Sequence, residues 1–404
     1  MPTKVFDIEL SDELKPVWGT EKYDRLWILM RCRGQPFGWI SVSNGHRQPV
    51  ISTEQLSQTI AEQAGWPLAL SLLRDQASMG TKELFGSDPI SIVVCSRDRA
   101  DLLDGCLSAL LSLDYPCYEI IVVDNAPSTD ETANLAARLP IRYVREDRPG
   151  LDWARNRGIA EARYDIIAFT DDDARPDSQW LRAIACAFRQ QEVMAVTGLV
   201  APAELETAPQ HVFEFGYGGM GKGLKRRIYR TDEVPLRDLL WAHVFGVGAN
   251  MAFRRTLFDA IGTFDVALDV GTPSGSGGDL DMLHRLVCKG HTLVYEPAAL
   301  VWHIHRRSAS VLRRQLYDNG RGFGSYLLTC LRNRTVSRLS LLRFAAKDWL
   351  RWWFLRRLCR PRGFPRHLIL AEFFGALRSP IAYWAAQVHA RRIANTFSRT
   401  IKNP

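Results

Sequence analysis

The sequence lacks several features that would place it in well-known classes of protein. None of its eight cysteines forms a CxxC pair, so neither a structural zinc site nor a disulfide framework is expected, and a reducing compartment fits. No window reaches about 18 uncharged apolar residues, the usual length of a spanning helix. The N-terminus, MPTKVFDIELSDEL, is acidic and has no apolar core, so it does not indicate a signal peptide. These absences predict a globular cytoplasmic protein.

Acidic residues are scarce at one end of the chain only. Residues 331–404 contain 16 Lys and Arg against 2 Asp and Glu, a local net charge of +14, whereas the other 330 residues contain 36 against 42. The formal charge of +8 therefore belongs to the tail. It does not indicate that the whole protein binds nucleic acid.

The pattern along the chain predicts three regions. Residues 1–86 are interpreted as an N-terminal accessory domain of α+β type, in which RLWILMRCRGQPFGWISVS predicts two strands around a Gly/Pro turn. A helix is predicted at about 53–73, and residues 80–89 are interpreted as a linker. Residues 87–330 form a larger α/β domain, and residues 331–404 form a basic, aromatic, helical tail.

The α/β domain is predicted from its alternation of apolar runs and helical patterns. ISIVVCS, YEIIVVDN, IRYVRE and YDIIAFTDDD are predicted strands, and amphipathic stretches separate them. Such a βαβ order is typical of a parallel sheet, which binds ligands at the carboxyl ends of its strands. Polar and acidic residues stand at three of these ends.

Three successive aspartates, 171–173, follow the strand YDIIAFT. In an extended segment, Asp171 and Asp173 share one side and Asp172 faces the other. Mg²⁺ and Mn²⁺ prefer such oxygen ligands together with substrate phosphates. The alternative is an acidic loop that precedes the helix SQWLRAIACAF. At another strand end, Asp124 could accept hydrogen bonds from a ribose hydroxyl or a base N–H.

A glycine-rich stretch, 271–278, leads into Asp279 at the start of a helical pattern. Asp279 is either a helix cap or a general base on a glycine-flanked loop. Asp281 is the second candidate for the base, although a solvated charge is the plainer interpretation. Farther along, VWHIHRR places two histidines on one side of an extended run, followed by two arginines, which fits a metal or diphosphate site.

Taken in order, VVCSRDR, VVDN, GLxxARNxG, DDD, GxGANMAFRR, GTPxGxGGDLDM and VWHxHR closely resemble the inverting family 2 glycosyltransferases with the GT-A fold. The resemblance covers about residues 88–325. It implies a Rossmann-like mixed sheet flanked by helices, a nucleotide-diphospho-sugar donor and a divalent metal, Mn or Mg. It also implies a glycan or lipid-linked acceptor and a role in making a cell-surface polysaccharide or glycolipid.

The resemblance also implies roles for individual residues. Asp279 stands where the family keeps its catalytic aspartate. The metal ligands are expected to be Asp173, Asp171 and His303. The donor is expected to contact Ser96, Arg97, Asp98, Asp124, Arg155, Asn156, Asp171 and Asp172. The acceptor or the diphosphate is expected to contact Asn250, His305, Arg306 and Arg307.

One position departs from the family pattern and keeps an alternative open. The family usually has Glu-Asp before this helix, and Gly278 stands here in place of the Glu. The chain could therefore be a catalytically inert scaffold that binds glycans or membranes. A sugar nucleotidyltransferase is a further alternative, but VVCSRDRADLLDG lacks the early glycine-rich loop with a lysine that such an enzyme would carry.

Two further segments have more than one interpretation. FEFGYGGMGKGLKRRIYR, 213–230, is either a flexible acceptor loop or a disordered surface loop. The tail either packs on the α/β domain, lies on an anionic membrane surface on the inner face, or binds RNA. Because no RNA-binding module is recognised, no nucleic acid partner is expected.

Overall fold

The computed structural model describes residues 2–78, 88–360 and 363–402. Most of the predicted linker at 80–89 lies outside the described residues. Within residues 2–78 the elements are β1 Thr3–Glu9, β2 Val17–Trp18, β3 Arg25–Cys32, β4 Gln35–Ser43, β5 Val50–Ile51 and α1 Thr53–Ser78. Strand β3 lies between β1, which is parallel to it, and β4, which is antiparallel.

The predicted N-terminal hairpin is confirmed as β3 and β4. Gly34, in the turn between them, has a φ of 78°, a conformation that a residue without Cβ adopts readily. Helix α1 covers β4 and begins at the predicted position, but it continues beyond residue 73 to Ser78. The apolar faces of the sheet and helix form a small core of their own.

The central region is built around one large mixed sheet. Its elements are β6 Ile90–Ser96, α2 Ala100–Leu111, β7 Tyr118–Asn125, α3 Glu131–Ala136, β8 Arg142–Glu146, α4 Leu151–Glu161, β9 Ile166–Asp171, β10 Ala174–Pro176, α5 Trp180–Phe188, β11 Val193–Pro202, α6 Ala208–His211, a π-helical segment Val212–Tyr217, β12 Arg227–Tyr229, α7 Leu236–Leu240, a 3₁₀ turn Ala242–Phe245, β13 Asn250–Arg254, α8 Arg255–Ile261, α9 Gly278–Cys288, β14 Thr292–His303 and α10 Ala309–Arg332.

The strand order is β10-β14-β11-β13-β9-β6-β7-β8, and β12 also pairs with β14. Strands β6 to β9 pair in parallel, as the βαβ alternation predicts. Strand β13 is antiparallel to both β9 and β11, so the sheet is mixed. The mixed sheet flanked by helices that the resemblance implied is therefore confirmed.

The central strands are apolar throughout because both faces of the sheet are covered. Along β6, Ile92 and Val94 pack into the core on one face, whereas Val93 packs into the core on the other. Polar residues stand at the carboxyl ends of β6, β7 and β9. The parallel register sets Ser96 beside Asp124 and Cys95 beside Asp171, which brings the carboxyl ends of three strands to one edge.

The C-terminal region is helical and packs against α10. Its elements are α11 Arg338–Arg343, a π-helical segment Phe344–Leu355, α12 Arg356–Cys359 and α13 Arg366–Lys402. A Cβ at Gly320 or at Gly375 would come within 1.9 Å of a backbone oxygen of the facing helix, so α10 and α13 are in very close contact. Within the described residues, no helix is both long enough and apolar enough to cross a bilayer.

The small N-terminal region also contacts the central region. The backbone N–H of Thr3 donates to the carbonyl of Leu205 at 2.8 Å. The guanidinium of Arg31 pairs with Asp177 at 2.7 Å, four residues after the aspartate run. The ring of Trp27 meets Phe215 with centroids 4.9 Å apart. The division into three domains at residues 86 and 330 stays a prediction.

Candidate functional site

Two strand ends bring two aspartates and a histidine together at the edge of the sheet. Strand β9 ends at Asp171 and β14 ends at His303, and the pairing of β10 with β14 sets Ala174 opposite His303. One donor atom from each of Asp171, Asp173 and His303 lies within 4.8 Å of the others. Asp173 Oδ1 and His303 Nε2 are 3.2 Å apart. Asp172 lies outside this group, on the side that strand alternation predicts.

The Asp173 carboxylate is surrounded by positive charge. Its Oδ2 lies 2.7 Å from Arg99 Nη2 and 3.1 Å from Arg306 Nη1. Burial would raise the pKa of Asp173, but His303, Arg99 and Arg306 outweigh it and hold the pKa well below its usual range. Asp173 is therefore ionised at neutral pH.

Asp172 has different partners. Ser96 Oγ donates to its Oδ2 at 2.8 Å, and Arg99 Nη1 donates to its Oδ1 at 2.6 Å. Burial raises the pKa of Asp172 to about 7, although Arg99 opposes the shift. Arg99 thus bridges two of the three aspartates. It was not among the predicted site residues, although it stands in the same VVCSRDR segment as Ser96.

Two further side chains hold the ring of His303. Its Nδ1 is 3.1 Å from His305 Nδ1, and His305 Nε2 is 2.9 Å from Glu214 Oε2. This row leaves His303 Nε2 directed at Asp173, which is how second-layer groups orient a metal-binding imidazole. His305 was predicted to contact acceptor or diphosphate, but it is buried behind His303. Glu214 was not predicted, because it comes from the loop region 213–230.

The donor atoms of this group suit a divalent ion. Two carboxylates and one imidazole are ligands that Mn²⁺ and Mg²⁺ can accept. Within the chain, the Asp173 carboxylate already pairs with the guanidinium groups of Arg99 and Arg306 and with the His303 imidazole. Asp171, Asp173 and His303 therefore fit a divalent metal.

A second part of the edge has a buried carboxylate with an unused oxygen. Asp124 is fully buried, and Tyr143 donates to its Oδ2 at 2.9 Å. Its Oδ1 has no hydrogen-bond partner among the described residues. Burial raises the pKa of Asp124, and Tyr143 opposes the shift. A ligand N–H or O–H would satisfy this oxygen.

The neighbouring donor candidates are more exposed. Asp98, with a φ of 53°, is exposed, and its Oδ1 accepts a hydrogen bond from the Ser128 N–H at 2.8 Å. Arg97 is also exposed and lies 3.7 Å from Asp98. Both residues stand beside Ser96 at the end of β6, so they border the same edge as Asp124.

Asp279 lies in the first turn of helix α9 but does not cap this helix. Helix α9 starts at Gly278 with Gly277 in the cap position, and the Asp279 carboxylate accepts hydrogen bonds from the N–H groups of Gly248 at 2.8 Å and Leu280 at 2.9 Å. Burial and the Asp269 carboxylate raise the pKa of Asp279, although Arg155 opposes them. A carboxylate with a raised pKa is a better base.

Asp281, the second candidate for the base, has a structural role. It is buried and pairs with Arg285 at 2.7 Å, one helical turn away. The expectation of a solvated charge was therefore wrong. Burial raises its pKa, and the Arg285 charge opposes the shift.

Arg155 lies in a buried acid cluster near Asp279. Its Nη1 is 3.0 Å from Asp152 Oδ1 and 2.5 Å from Asp269 Oδ2. The structure therefore favours a role near Asp279 over the predicted contact with the donor. Asn156, the next residue, exchanges two hydrogen bonds of 2.9 Å with the backbone of Phe264, which favours a structural role. Neither Asp152 nor Asp269 was predicted.

Two other predicted contacts are engaged elsewhere. The Asn250 amide accepts from Trp180 Nε1 at 2.9 Å and donates to two carbonyls of neighbouring strands, so it ties the sheet together. Arg307 is exposed and pairs with Glu204 and Glu206. These positions favour structural roles over contacts with acceptor or diphosphate. Of the two arginines after the histidines, only Arg306 pairs with Asp173.

The segment 213–230 is anchored rather than loosely attached. Tyr217 donates to Glu372 of α13 at 3.1 Å, and Tyr295 of β14 donates to the carbonyl of Gly223 at 2.8 Å. Lys222 lies close enough to Asp279 and Glu214 to feel both charges, yet burial lowers the pKa of its ammonium to about 8. This placement disagrees with a disordered surface loop.

Comparisons with known proteins show what parts of the chain are similar to. Residues 91–262 match the family described as Glycosyl transferase family 2. The chain is 26% identical over 260 residues to glycosyltransferase AglE of Haloferax volcanii, across 62% of this chain and 79% of AglE.

Two further relatives have narrower matches. Identity to the glucosyl-dolichyl phosphate glucuronosyltransferase of H. volcanii is 24% over 197 residues, which is 47% of this chain and 58% of that protein. Identity to the pre-mycofactocin glycosyltransferase of Mycobacterium tuberculosis is 27% over 220 residues, 54% of this chain and 43% of that protein. The alignments thus span about half the length of these two relatives.

Proposed function

We propose that this chain, which carries a family 2 glycosyl transferase domain, moves a sugar from a nucleoside-diphosphate sugar to an acceptor hydroxyl with inversion at the anomeric carbon. The observation that carries the proposal is the group of Asp171, Asp173 and His303. These three residues come from two strand ends and lie at the sheet edge that Asp124 also borders.

A divalent metal held by Asp171, Asp173 and His303 would offset the negative charge that the leaving diphosphate gains. Neighbouring side chains support these ligands. Arg99 and Arg306 keep Asp173 ionised, and His305 with Glu214 keeps the ring of His303 in place. Arg306 is the arginine of this group that is best placed to meet the diphosphate as well.

Asp124, Asp98 and Asp279 have separate roles in the proposed reaction. Asp124 Oδ1 would accept a hydrogen bond from the nucleoside, and Asp98 borders the same position. Asp279 would take the proton of the acceptor hydroxyl as that oxygen bonds to the anomeric carbon and the bond to the diphosphate breaks. One such displacement inverts the configuration. We infer a glycan or a lipid-linked acceptor, in the synthesis of a cell-surface polysaccharide or glycolipid.

The test of this function is turnover of a panel of UDP-, GDP- and dTDP-sugars with Mn²⁺ or Mg²⁺. Wild type is compared with Asp279→Asn and with Asp232→Asn, which removes an exposed carboxylate. We expect metal-dependent release of a nucleoside diphosphate by wild type and Asp232→Asn but not by Asp279→Asn, with donor binding retained in all three. Donor binding without turnover in any of them would favour the inert scaffold, and absence of donor binding would refute the proposal.

We also propose that the C-terminal helices lie on an anionic membrane surface. On α13, Phe374, Leu377, Ile381 and Trp384 are exposed, at the spacing of one helical face, and Arg378 stands among them. Large apolar side chains on a strongly basic surface suit the interface of an acidic bilayer. The opposite side of α13 packs on α10, so the proposal concerns only the exposed face of the tail.

Sedimentation with lipid vesicles tests this surface. We expect binding to vesicles of phosphatidylcholine with phosphatidylglycerol, and much weaker binding to phosphatidylcholine alone. Trp384→Ser should weaken binding, whereas Trp18→Ser should not, although both tryptophans are 68% exposed. Equal loss in the two variants, or competition by RNA at equal charge, would contradict the assignment.

A further inference from the structure

The space beside the backbone of Gly278 is already filled by a carboxylate from another element. A Cβ built on Gly278 would lie 2.1 Å from Asp152 Oδ2 and 2.8 Å from its Cγ. Asp152 stands in the first turn of α4, 126 positions earlier in the chain. Any side chain at position 278 is therefore excluded while Asp152 keeps this position.

Asp152 is buried and only half satisfied. Its residue surface is 1% exposed, and its Oδ1 pairs with Arg155 at 3.0 Å. Its Oδ2 has no hydrogen-bond partner among the described residues. Burial and the Asp269 carboxylate raise the pKa of Asp152 well above its usual range. Burying a carboxyl group with an unused oxygen is costly, which indicates a function rather than a contribution to stability.

Arg155 connects Asp152 with Asp279 through Gly248. A Cβ on Gly248 would lie 2.7 Å from Arg155 Nη2 and 3.4 Å from Asp279 Oδ2, so the guanidinium and this carboxylate both lie beside the backbone of Gly248. The Arg155 charge acts on Asp279 and lowers its pKa. Asp152 and Asp269 hold Arg155 through its other nitrogen, Nη1. Without Asp152, the guanidinium would have one anion fewer and would turn toward Asp279.

We propose that Asp152 is a positioning residue for Asp279: it retains Arg155 and supplies from α4 the second carboxylate that the family pattern would place at position 278. The proposal rests on the proposed role of Asp279 as the base. It explains why Gly278 need not signal an inert protein, because the carboxylate has moved to another element and not been lost.

The charges that face Asp279 come from three elements. Helix α4 contributes Asp152 and Arg155, the loop before α9 contributes Asp269, and the segment after the first π-helix contributes Lys222. The two acids, Asp152 and Asp269, favour a basic Asp279, whereas the two cations disfavour it. Removal of Asp152 should therefore make Asp279 a weaker base.

The experiment relocates the carboxylate. Asp152→Asn removes the charge at constant size. Gly278→Glu adds a side chain where Asp152 leaves no room. Asp152→Gly/Gly278→Glu moves the carboxylate to position 278, and Asp152→Gly/Gly278→Gln fills the same space without charge. For each full-length variant, kcat, the KM for donor, the pH profile of kcat and the melting temperature are measured.

We expect Asp152→Asn to lower kcat by about 10- to 100-fold, with the donor KM unchanged and the acid limb of the pH profile moved to lower pH. Gly278→Glu alone should lower both kcat and melting temperature. The Glu relocation variant should recover most of the wild-type kcat, and the Gln variant should not. Recovery that needs the charge separates positioning from packing.

Equal recovery by the Glu and Gln variants, or an unchanged kcat and pH profile in Asp152→Asn, would overturn the proposal. The melting temperatures test the geometry without turnover. Gly278→Ala should destabilise the wild type but not the Asp152→Gly variant, and equal destabilisation of both would also overturn it. A wild type that turns over no donor but gives this stability pattern would instead count against the proposed function.

Discussion

Two groups of three aspartates lie at the same end of the sheet, and they differ in their countercharges. Asp171, Asp172 and Asp173 share Arg99, Arg306 and the His303 ring. The group of Asp152, Asp269 and Asp279 lies around one buried guanidinium, that of Arg155, with Lys222 farther away. The first group is nearly neutral as a whole, and the second has an excess of negative charge.

This difference separates two kinds of chemistry. In the first group, positive charge holds the pKa of Asp173 low, so the carboxylate can bind a cation at any ordinary pH. In the second, burial and a neighbouring acid raise the pKa of Asp279, so the carboxylate can accept a proton. One residue type thus serves as ligand or as base according to the charges around it.

Loss of the Asp173 carboxylate, at the centre of the first group, should lower kcat more than any other single substitution considered. Asp173→Asn leaves Arg99, Arg306 and His303 without their common partner and removes a metal ligand. We expect kcat to fall about 10³-fold, since several kcal/mol of charge stabilisation are lost at about 1.4 kcal/mol per tenfold. Asp172→Asn, which keeps the Asp171, Asp173 and His303 group, should lose less when steady-state turnover is measured.

If both variants lost activity equally, the two aspartates would not differ in role. Direct titration of Mn²⁺ binding would then decide which of them binds the ion. We expect binding to be lost in Asp173→Asn and retained in Asp172→Asn.

A smaller effect is expected from Glu214, which contacts the first group only through His305. Glu214→Gln weakens the hold on His305 and thereby on His303 Nε2. We expect the apparent affinity for Mn²⁺ to fall about 10- to 100-fold while kcat at saturating metal stays near that of wild type. A lower kcat that no metal concentration restores would indicate a role beyond orientation.

Substitutions in the second group should change the pH dependence of kcat. Because the base must be deprotonated, kcat should rise as pH increases through the raised pKa of Asp279. Asp269→Asn removes a negative charge that raises this pKa, so the acid limb of the kcat profile should move to lower pH. An unmoved limb with a normal kcat would mean that Asp279 is not the group that titrates.

The smallest effects should come from the two adjacent arginines, which are a matched pair. Arg306 pairs with the buried Asp173, whereas Arg307 pairs with two glutamates at the surface. Arg306→Ala should lower kcat, and Arg307→Ala should change the free energy of unfolding by at most about 1 kcal/mol and leave turnover intact. The reverse order, in kinetics and chemical denaturation, would contradict the placement of these side chains.

The sequence predicted the first group far better than the second. The Asp171–Asp173 run and the pair of histidines each follow an apolar strand, so period-two alternation and the parallel register bring them to one edge. Continuous apolar runs predicted β6, β7 and β9, because strands buried on both faces are largely apolar.

In the second group Asp279 was predicted as the base, but Asp152 and Asp269 could not be predicted, because no local pattern connects them with it. Asp152 lies in the first turn of a helix, where an acid is ordinary, and Asp269 lies in a loop with a φ of 71°. Their meeting at Arg155 depends on how α4 packs against the loop before α9. Glu214 was missed for a similar reason, since it reaches His305 from a π-helical segment 91 positions away.

The hydrogen bond between Glu372 and Tyr217 bears on where the protein could be truncated. Glu372 of α13 also accepts from Trp353 at 3.0 Å, and Tyr217 belongs to the same short segment as Glu214. The match to the family model ends at residue 262, yet His303 and Glu372 lie beyond it. A fragment trimmed to residues 91–262 would keep Asp171, Asp172 and Asp173 but lose Asp279 and His303. We therefore expect the smallest working unit of this protein to extend well beyond residue 262.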